Sequence, residues 1–319
     1  DRLRLTFALN ALVALDFAAW QLYASEHDRA GFDALLESDE AKALPERHRQ
    51  LMAIPLVPYG MFAAAIAKLI EEGFSLLKIK IGADPAQDGD PEKMLEWDKA
   101  RLSEIHALAE EVRTPHTRDG HIAYYLDANG RYDTKARLMR FLDHARRIGA
   151  LERILLLEEP FPEEDETDVH DIPVRLAADE SVHSDDDAFK RIQMGYGAMA
   201  LKPIAKTLSM SLKVARMAHD HGIPCFCADL TVNPILVDWN KNIAARLAPL
   251  PGMKIGVFET NGHQNYRHWA AMQECHPCFP APWMTMNRGV FNLDDDFYAR
   301  SGGVLLRSDH YRSIAGRKG

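Results

Sequence analysis

Short apolar runs recur along the chain with longer mixed segments between them. The runs are IPLVP (54–58), LLKIKI (76–81), IAYYLDA (122–128), RILLLEEP (153–160), VRLAADE (174–180), AMALKP (198–203), IPCFCAD (223–229) and MKIGVFE (253–259). Runs of this length rich in branched side chains predict strands. The segments 61–72, 92–111, 134–147, 208–221 and 234–247 repeat their apolar residues at helical spacing and predict helices. The connection after 160, with the acidic stretch EEDETDVHD, is shorter, so any helix there is brief. Eight strands alternating with helices predict a parallel α/β fold, and eight repeats predict a closed TIM-like (β/α)8 barrel rather than an open sheet. A doubly wound sheet would carry a G-x-G-x-x-G turn after an early strand, and the sequence has none.

Two segments fall outside the eight units, which divides the chain into 1–50, 51–274 and 275–319. In the first, Leu5, Leu9, Leu12, Leu15 and Leu22 recur at helical spacing, and Asn10 and Asp16 interrupt the apolar run. That predicts an amphipathic helix, not a secretion signal. Opening on Asp1 reads as a chain cut from something longer. The last segment, with FPAPW, NRGVF and RSGGVLL, reads as loop packing on another element.

The 319 residues suffice for one barrel of about 250 residues with additions. A net charge of −9 argues against nucleic acid or an anionic membrane as partner. No apolar run reaches the roughly 18 residues of a membrane span. Four cysteines are too few for a disulfide framework, so a reducing, cytoplasmic compartment is expected. The CHPC at 275–278 lacks a second pair and argues weakly for zinc.

Candidate chemistry sits at the C-terminal ends of the strands, where barrels of this kind carry it. Lys78 and Lys80 end the second run, and Asp127 with Asn129 follows the third. Glu158 and Glu159 end the fourth, Asp179 and Glu180 the fifth, Lys202 the sixth, Asp229 the seventh and Glu259 the eighth. Any one of these reads as a solvated loop residue, and the lysines of KIK as barrel-wall residues reaching for water. Together they are three consecutive carboxylate-ended strands flanked by lysines. Convergent carboxylates suit a hard cation with oxygen ligands, Mg²⁺ first and Mn²⁺ as the alternative. A lysine beside such a site, its pKa lowered by the cation and by partial burial, is a workable general base.

The set KIK, DAN, EEP, ADES and LK, in this order over roughly residues 1–270, resembles the enolase superfamily in its muconate-lactonizing and mandelate-racemase-like branch. The resemblance implies a modified enolase-type barrel preceded by an α+β capping domain, of which residues 1–30 would be the last helix and 275–319 a tail packing back on the cap side. It implies Asp127, Glu158 and Asp179 as Mg²⁺ ligands. Lys80 would be the base on one face of a small carboxylate substrate and Lys202 the acid or base on the other. Lys78 would be an electrostatic helper of Lys80. Asn129, Glu180, Asp229, Glu259 and Lys206 would stand around the substrate. The implied reaction removes the proton α to a carboxylate through an enediolate. Racemisation or epimerisation comes first, cycloisomerisation or acid-sugar dehydration second, and a catalytically silent metal-binding fragment third. Homo-oligomers are common among such proteins.

The sequence departs from the family pattern in places. The family commonly has a second lysine three residues after the first and then a Gly pair. Here Lys206 stands four after Lys202, with Leu208-Ser209 in place of the glycines, which leaves Lys206 as a substitute for Lys202. FETNG lacks the D-x-D with which dipeptide epimerases hold a substrate ammonium.

Overall fold

The computed structural model of the chain describes residues 5–316. The parts of the two end segments at residues 1–4 and 317–319 lie outside the described residues. Helices α1 (Leu5–Asn10), α2 (Val13–Glu26) and α3 (Ser38–Ala43) precede the first strand. The parallel strands are β1 (Gln50–Ile54, resuming after Pro55 as Leu56–Val57), β2 (Leu76–Lys80), β3 (Ala123–Asp127) and β4 (Ile154–Glu158). They continue as β5 (Leu176–Ala178), β6 (Ala198–Leu201), β7 (Cys225–Cys227) and β8 (Gly256–Glu259). Seven of the eight runs expected as strands contain one, shortened at one or both ends, while β1 begins at Gln50, ahead of the expected run 54–58.

The result is an α/β fold on a curled, mostly parallel sheet. Strands β2 to β8 pair in sequence order. Residues 51–54 of β1 pair with β8, residues 56–57 pair with β2, and the Lys78 amide donates to the Pro55 carbonyl at 3.1 Å. Helices α4 (Ala63–Glu71), α5 (Pro91–Ala109) and α6 (Lys135–Arg147) follow β1, β2 and β3. After β5, β6 and β7 come α7 (Asp185–Gln193), α8 (Pro203–Lys206) with α9 (Leu208–Asp220), and α10 (Pro234–Ala244). No helix forms between β4 and β5 among the described residues; 161–175 runs as turns and bends, its acidic side chains busy with local pairs such as Glu166 with Lys190 and Asp171 with Lys135.

Strand alternation sorts the core into two layers. Leu77, Ile79, Tyr124, Leu126 and Leu157 pack outward against the helices. Leu76, Ala123, Tyr125, Leu156, Ala177, Ala198, Ala200 and Phe226 pack inside the curl. Lys78 and Lys80 share the parity of Leu76, so KIK places both ammonium groups on the inner face at the C-terminal end. Gly82, two residues further, takes φ 82°, and a Cβ there would sit 2.8 Å from the Arg131 Cβ.

The N-terminal helices bury a face other than the leucine stripe. Val13, Phe17 and Ala24 are the buried side of α2, while Leu12, Leu15 and Leu22, with Leu5 on α1, are exposed. Phe17 stacks on Trp239 at 4.4 Å, and the Asp16 carboxylate accepts from the Leu208 and Ser209 amides at 2.8 and 3.2 Å. Asp16 therefore caps α9, and that bond selects the opposite face of an apolar helix. The C-terminal segment also holds more than loop. Val290–Asn292 pairs antiparallel with Gln50–Met52 and forms a hairpin with Met286–Asn287. Past it, Ser301 Oγ accepts from the Phe32 amide, and the Val304 carbonyl accepts from Gln21. No described helix is long and apolar enough to cross a membrane.

Candidate active site

Parallel register brings the strand ends level. Lys80 lies opposite Asp127, Asp127 opposite Glu158, and Glu158 opposite Ala177. Adjacent strands lie about 4.8 Å apart, so these side chains are immediate neighbours. Lys78 is at their centre, with its Nζ 3.0 Å from Asp127 Oδ2, 2.9 Å from Glu158 Oε2 and 2.9 Å from Glu259 Oε2. The Tyr125 ring lies 4.7 Å beneath it, and the Tyr125 hydroxyl donates to Glu158. Burial works against the Lys78 charge, but the three carboxylates prevail and raise its pKa well above the ordinary lysine value.

Lys80 and Lys202 stand on either side of this group. Lys80 Nζ donates to Asp127 Oδ2 at 2.6 Å and Asn129 Oδ1 at 2.5 Å, and its side chain keeps 21% of its exposure. Lys202 is buried and pairs with Asp179. Burial opposes its charge, and Asp179 and Glu180 raise its pKa above the usual value. Lowered lysine pKa values are the expectation from sequence. At Lys78 and Lys202 the direction is the reverse, because carboxylates in direct contact outweigh desolvation. Lys206 also reaches Asp179, at 3.1 Å from Oδ1, and donates to the carbonyls of Val182, at 2.8 Å, and of Asp179. Its three N–H groups are spent on these acceptors, which suits a strut and not a proton carrier.

The carboxylates divide by partner. Burial opposes ionisation of Asp127 and of Asp179, but contact with two lysines each holds both below the usual carboxylate range. Burial, with Asp127 close by, raises Glu158 well above that range, and its Oε1 has no hydrogen-bond partner among the described residues. Burial and the Asp179 charge raise Glu180, whose Oε1 accepts from Asn129 Nδ2 at 2.9 Å. One ligand oxygen each from Glu158, Asp179 and Glu180 lies within 4.8 Å of the others. An orphaned buried oxygen in an all-carboxylate donor set fits a hard divalent cation. Asp127 adjoins this group through Lys78, which it shares with Glu158. Asp229 and Glu259 close the far side: the Asp229 amide donates to Glu259 Oε2 at 3.1 Å, and burial beside Glu259 pushes the Asp229 carboxyl up to about 7.

Two contributors, Glu159 and Asp98, were given no role from sequence. Glu159, the second residue of EEP, is fully buried; its Oε2 accepts from the Asp179 amide at 2.7 Å and from Ser181 Oγ at 3.0 Å, and burial pushes its pKa up to about 7. The doublet was the signal. Asp98 carries none. It reaches from α5 to accept from the Gly82 amide at 2.9 and 2.8 Å and from the Tyr132 hydroxyl at 2.8 Å, which holds the chain just beyond Lys80. Asn233 and Asn240 do not reach the site. Asn233 caps α10, and Asn240 donates to the Ala228 carbonyl. The CHPC cysteines are free, and they belong to no metal-holding group among the described residues.

Burial pushes the Asp98 carboxyl up to about 6, so its neutral form is favoured in the fold. The stability this confers is complete below the unfolded value near 4 and is lost as pH rises through 6. Relative to Asp98→Asn, which cannot titrate, the native chain is expected to lose about 3 kcal/mol between pH 4 and 8. Urea unfolding of both proteins across that range checks this, and a difference that does not change with pH would contradict it.

The family model described as enolase C-terminal domain-like matches residues 61–260, more than half of the chain. The chain belongs to this family. The span matched, within the enolase superfamily, runs from the start of α4 to the end of β8 and so includes every strand-end residue described above. Among solved structures, a mandelate racemase/muconate lactonizing enzyme from Roseiflexus sp. aligns at 21% identity and a TM-score of 0.61, over 80% of this chain and 65% of that one. A mandelate racemase/muconate lactonizing protein from Herpetosiphon aurantiacus aligns at 18% identity and 0.62, over 91% and 81%. A dipeptide epimerase from Enterococcus faecalis, solved with Mg and L-Leu-L-Tyr, aligns at 16% and 0.61, over 88% and 69%. At these identities the likeness is one of fold. The chain spans less than two thirds of the Roseiflexus protein's length. No curated protein matches the chain in a sequence search.

Proposed function

We propose that this chain is the catalytic part of a Mg²⁺-dependent enzyme that removes the proton α to a carboxylate, acting as a racemase or epimerase on a small carboxylic acid or amino-acid derivative. The observation that carries the reading is the placement of Lys80 and Lys202, each held on a different carboxylate at opposite sides of one carboxylate cluster. Family membership supports it, and so does the likeness in fold to a dipeptide epimerase. We read residues 51–274 as a (β/α)8 barrel closed where β1 passes from β8 to β2 at Pro55, residues 1–50 as the end of a capping region, and residues 275–319 as a tail that returns toward it.

An α-proton beside a carboxylate is very weakly acidic, and its loss puts charge on both carboxylate oxygens. A divalent cation held by Glu158 and Asp179, with Asp127 or Glu180, supplies charge stabilisation there when bound. Lys80, which reaches solvent, first gives a proton to water and then, as the free amine, takes the α-proton on one face. Lys202, held protonated by Asp179, returns a proton to the opposite face, so configuration inverts. Asn129 fixes the Lys80 ammonium through its Oδ1, and Lys78 keeps Asp127, Glu158 and Glu259 from repelling one another.

Lys202→Ala separates racemisation from cycloisomerisation or dehydration. If two lysines work on opposite faces, the variant retains α-deuterium exchange for one enantiomer and loses interconversion by about 10²- to 10⁴-fold. Polarimetry and proton NMR in D₂O read the two together. Unchanged interconversion in Lys202→Ala would remove Lys202 from the mechanism.

A further inference from the structure

A cavity of about 760 Å³ opens beside Asn129, and its walls are mostly acidic, with His183 as the one imidazole among its described lining residues. Glu159, Glu163, Glu164 and Glu180 line it, and among the described residues no lysine or arginine does. Asn129 joins the cavity to the reaction centre: its Oδ1 accepts from Lys80, its Nδ2 donates to Glu180, and the residue itself lines the wall. A second observation points to a ligand there. Glu159 is fully buried, and its Oε1 has no hydrogen-bond partner among the described residues, although its Oε2 is well served. A buried acceptor left unmade costs about 1–3 kcal/mol, and a donor brought in by a ligand removes that cost. Leu5, Ala8 and Pro162 interrupt the acidic wall with apolar surface suited to methylene groups.

We propose, building on the α-proton reading above, that the substrate carries a cationic side chain, an ammonium or guanidinium on an aliphatic stem, seated in this mouth against Glu159, Glu163, Glu164 and Glu180. The substrate carboxylate goes to the lysine-flanked cluster, and the stem runs past Leu5 and Ala8 to the acids. A neutral side chain of the same length leaves Glu159 Oε1 unpaired, and an anionic one meets like charge.

The test compares N-acetyl-lysine, N-acetyl-norleucine and N-acetyl-glutamate, which share a backbone and differ in the charge at the side-chain end. With the full chain and Mg²⁺, α-deuterium exchange and calorimetric binding are measured for each. The lysine derivative is expected to lead norleucine by about tenfold in kcat/KM, and in affinity by the same factor, which is one ion pair's worth. Glutamate trails both. Glu164→Gln is expected to shrink the lysine-to-norleucine ratio chiefly through KM. Equal or better handling of norleucine or glutamate overturns the proposal, as does a Glu164→Gln variant that loses Mg²⁺ affinity with the ratio unchanged. If none of the three exchanges, the α-proton reading is decided separately by the wider pool of carboxylates, and calorimetry decides the charge preference: tighter binding of the lysine derivative supports the cationic mouth, while equal or absent binding overturns it.

Discussion

Lys78→Met is expected to lower the unfolding free energy by about 3–5 kcal/mol, the cost of removing one partner from a buried ionic group. Lys78 is 3% exposed and is within 3.0 Å of Asp127, Glu158 and Glu259. Methionine matches the stem in volume and removes only the charge. Three buried carboxylates then face one another with Lys80 as the remaining cation on Asp127, and they must take up protons or draw in water. The loss therefore grows with pH, as the carboxylates are forced to ionise unpaired. Urea unfolding followed by tryptophan fluorescence at pH 5 and pH 8 measures it. A change below about 1 kcal/mol at both values would mean that Lys78 is not the electrostatic keystone described here.

Glu158→Gln is expected to weaken Mg²⁺ binding by on the order of 100-fold or more, while the fold survives. The exchange removes one charge from the ligand group and replaces the orphaned Oε1, or its partner oxygen, with an NH₂ that cannot accept. Gln is isosteric, and a neutral side chain at this position is less costly to bury than a carboxylate. Loss of metal affinity with retained or raised thermal stability is thus the expected pair of results. Calorimetric titration with Mg²⁺ alongside a melting curve tests both. Unchanged affinity would exclude Glu158 as a ligand.

Much of this arrangement is legible in the sequence because it follows from parity and position. In a strand, alternate residues face the same way, so the distance from Leu76 to Lys78 and Lys80 puts both lysines on the inner face. The same count places Asp127 with Tyr125 and Glu259 with Val257. What is not legible depends on contacts made across the fold. Asp98 looks like any acidic residue on a helix, yet it holds Gly82 just beyond Lys80. Lys206 looks like a spare base until the carbonyls of Val182 and Asp179 consume its donors. The buried side of α2 is chosen by Asp16 capping α9 and by Phe17 on Trp239, not by its most apolar stripe. The hairpin at 286–292 is too short and irregular for its pattern to stand out, and its pairing partner, β1, is more than two hundred residues away.

The most direct test of the account is α-proton exchange in D₂O. The full chain is incubated with a pooled set of N-acyl amino acids, dipeptides, hydroxy acids and sugar acids, with Mg²⁺ or with EDTA, and Lys80→Ala is run beside it. The account predicts deuterium at the α-carbon of at least one carboxylate. That exchange is abolished by EDTA and, for the enantiomer that Lys202→Ala still exchanges, reduced by about 10²- to 10⁴-fold in Lys80→Ala. Exchange that persists without the metal, exchange of that enantiomer that persists without Lys80, or no exchange from a chain that binds Mg²⁺, would contradict it.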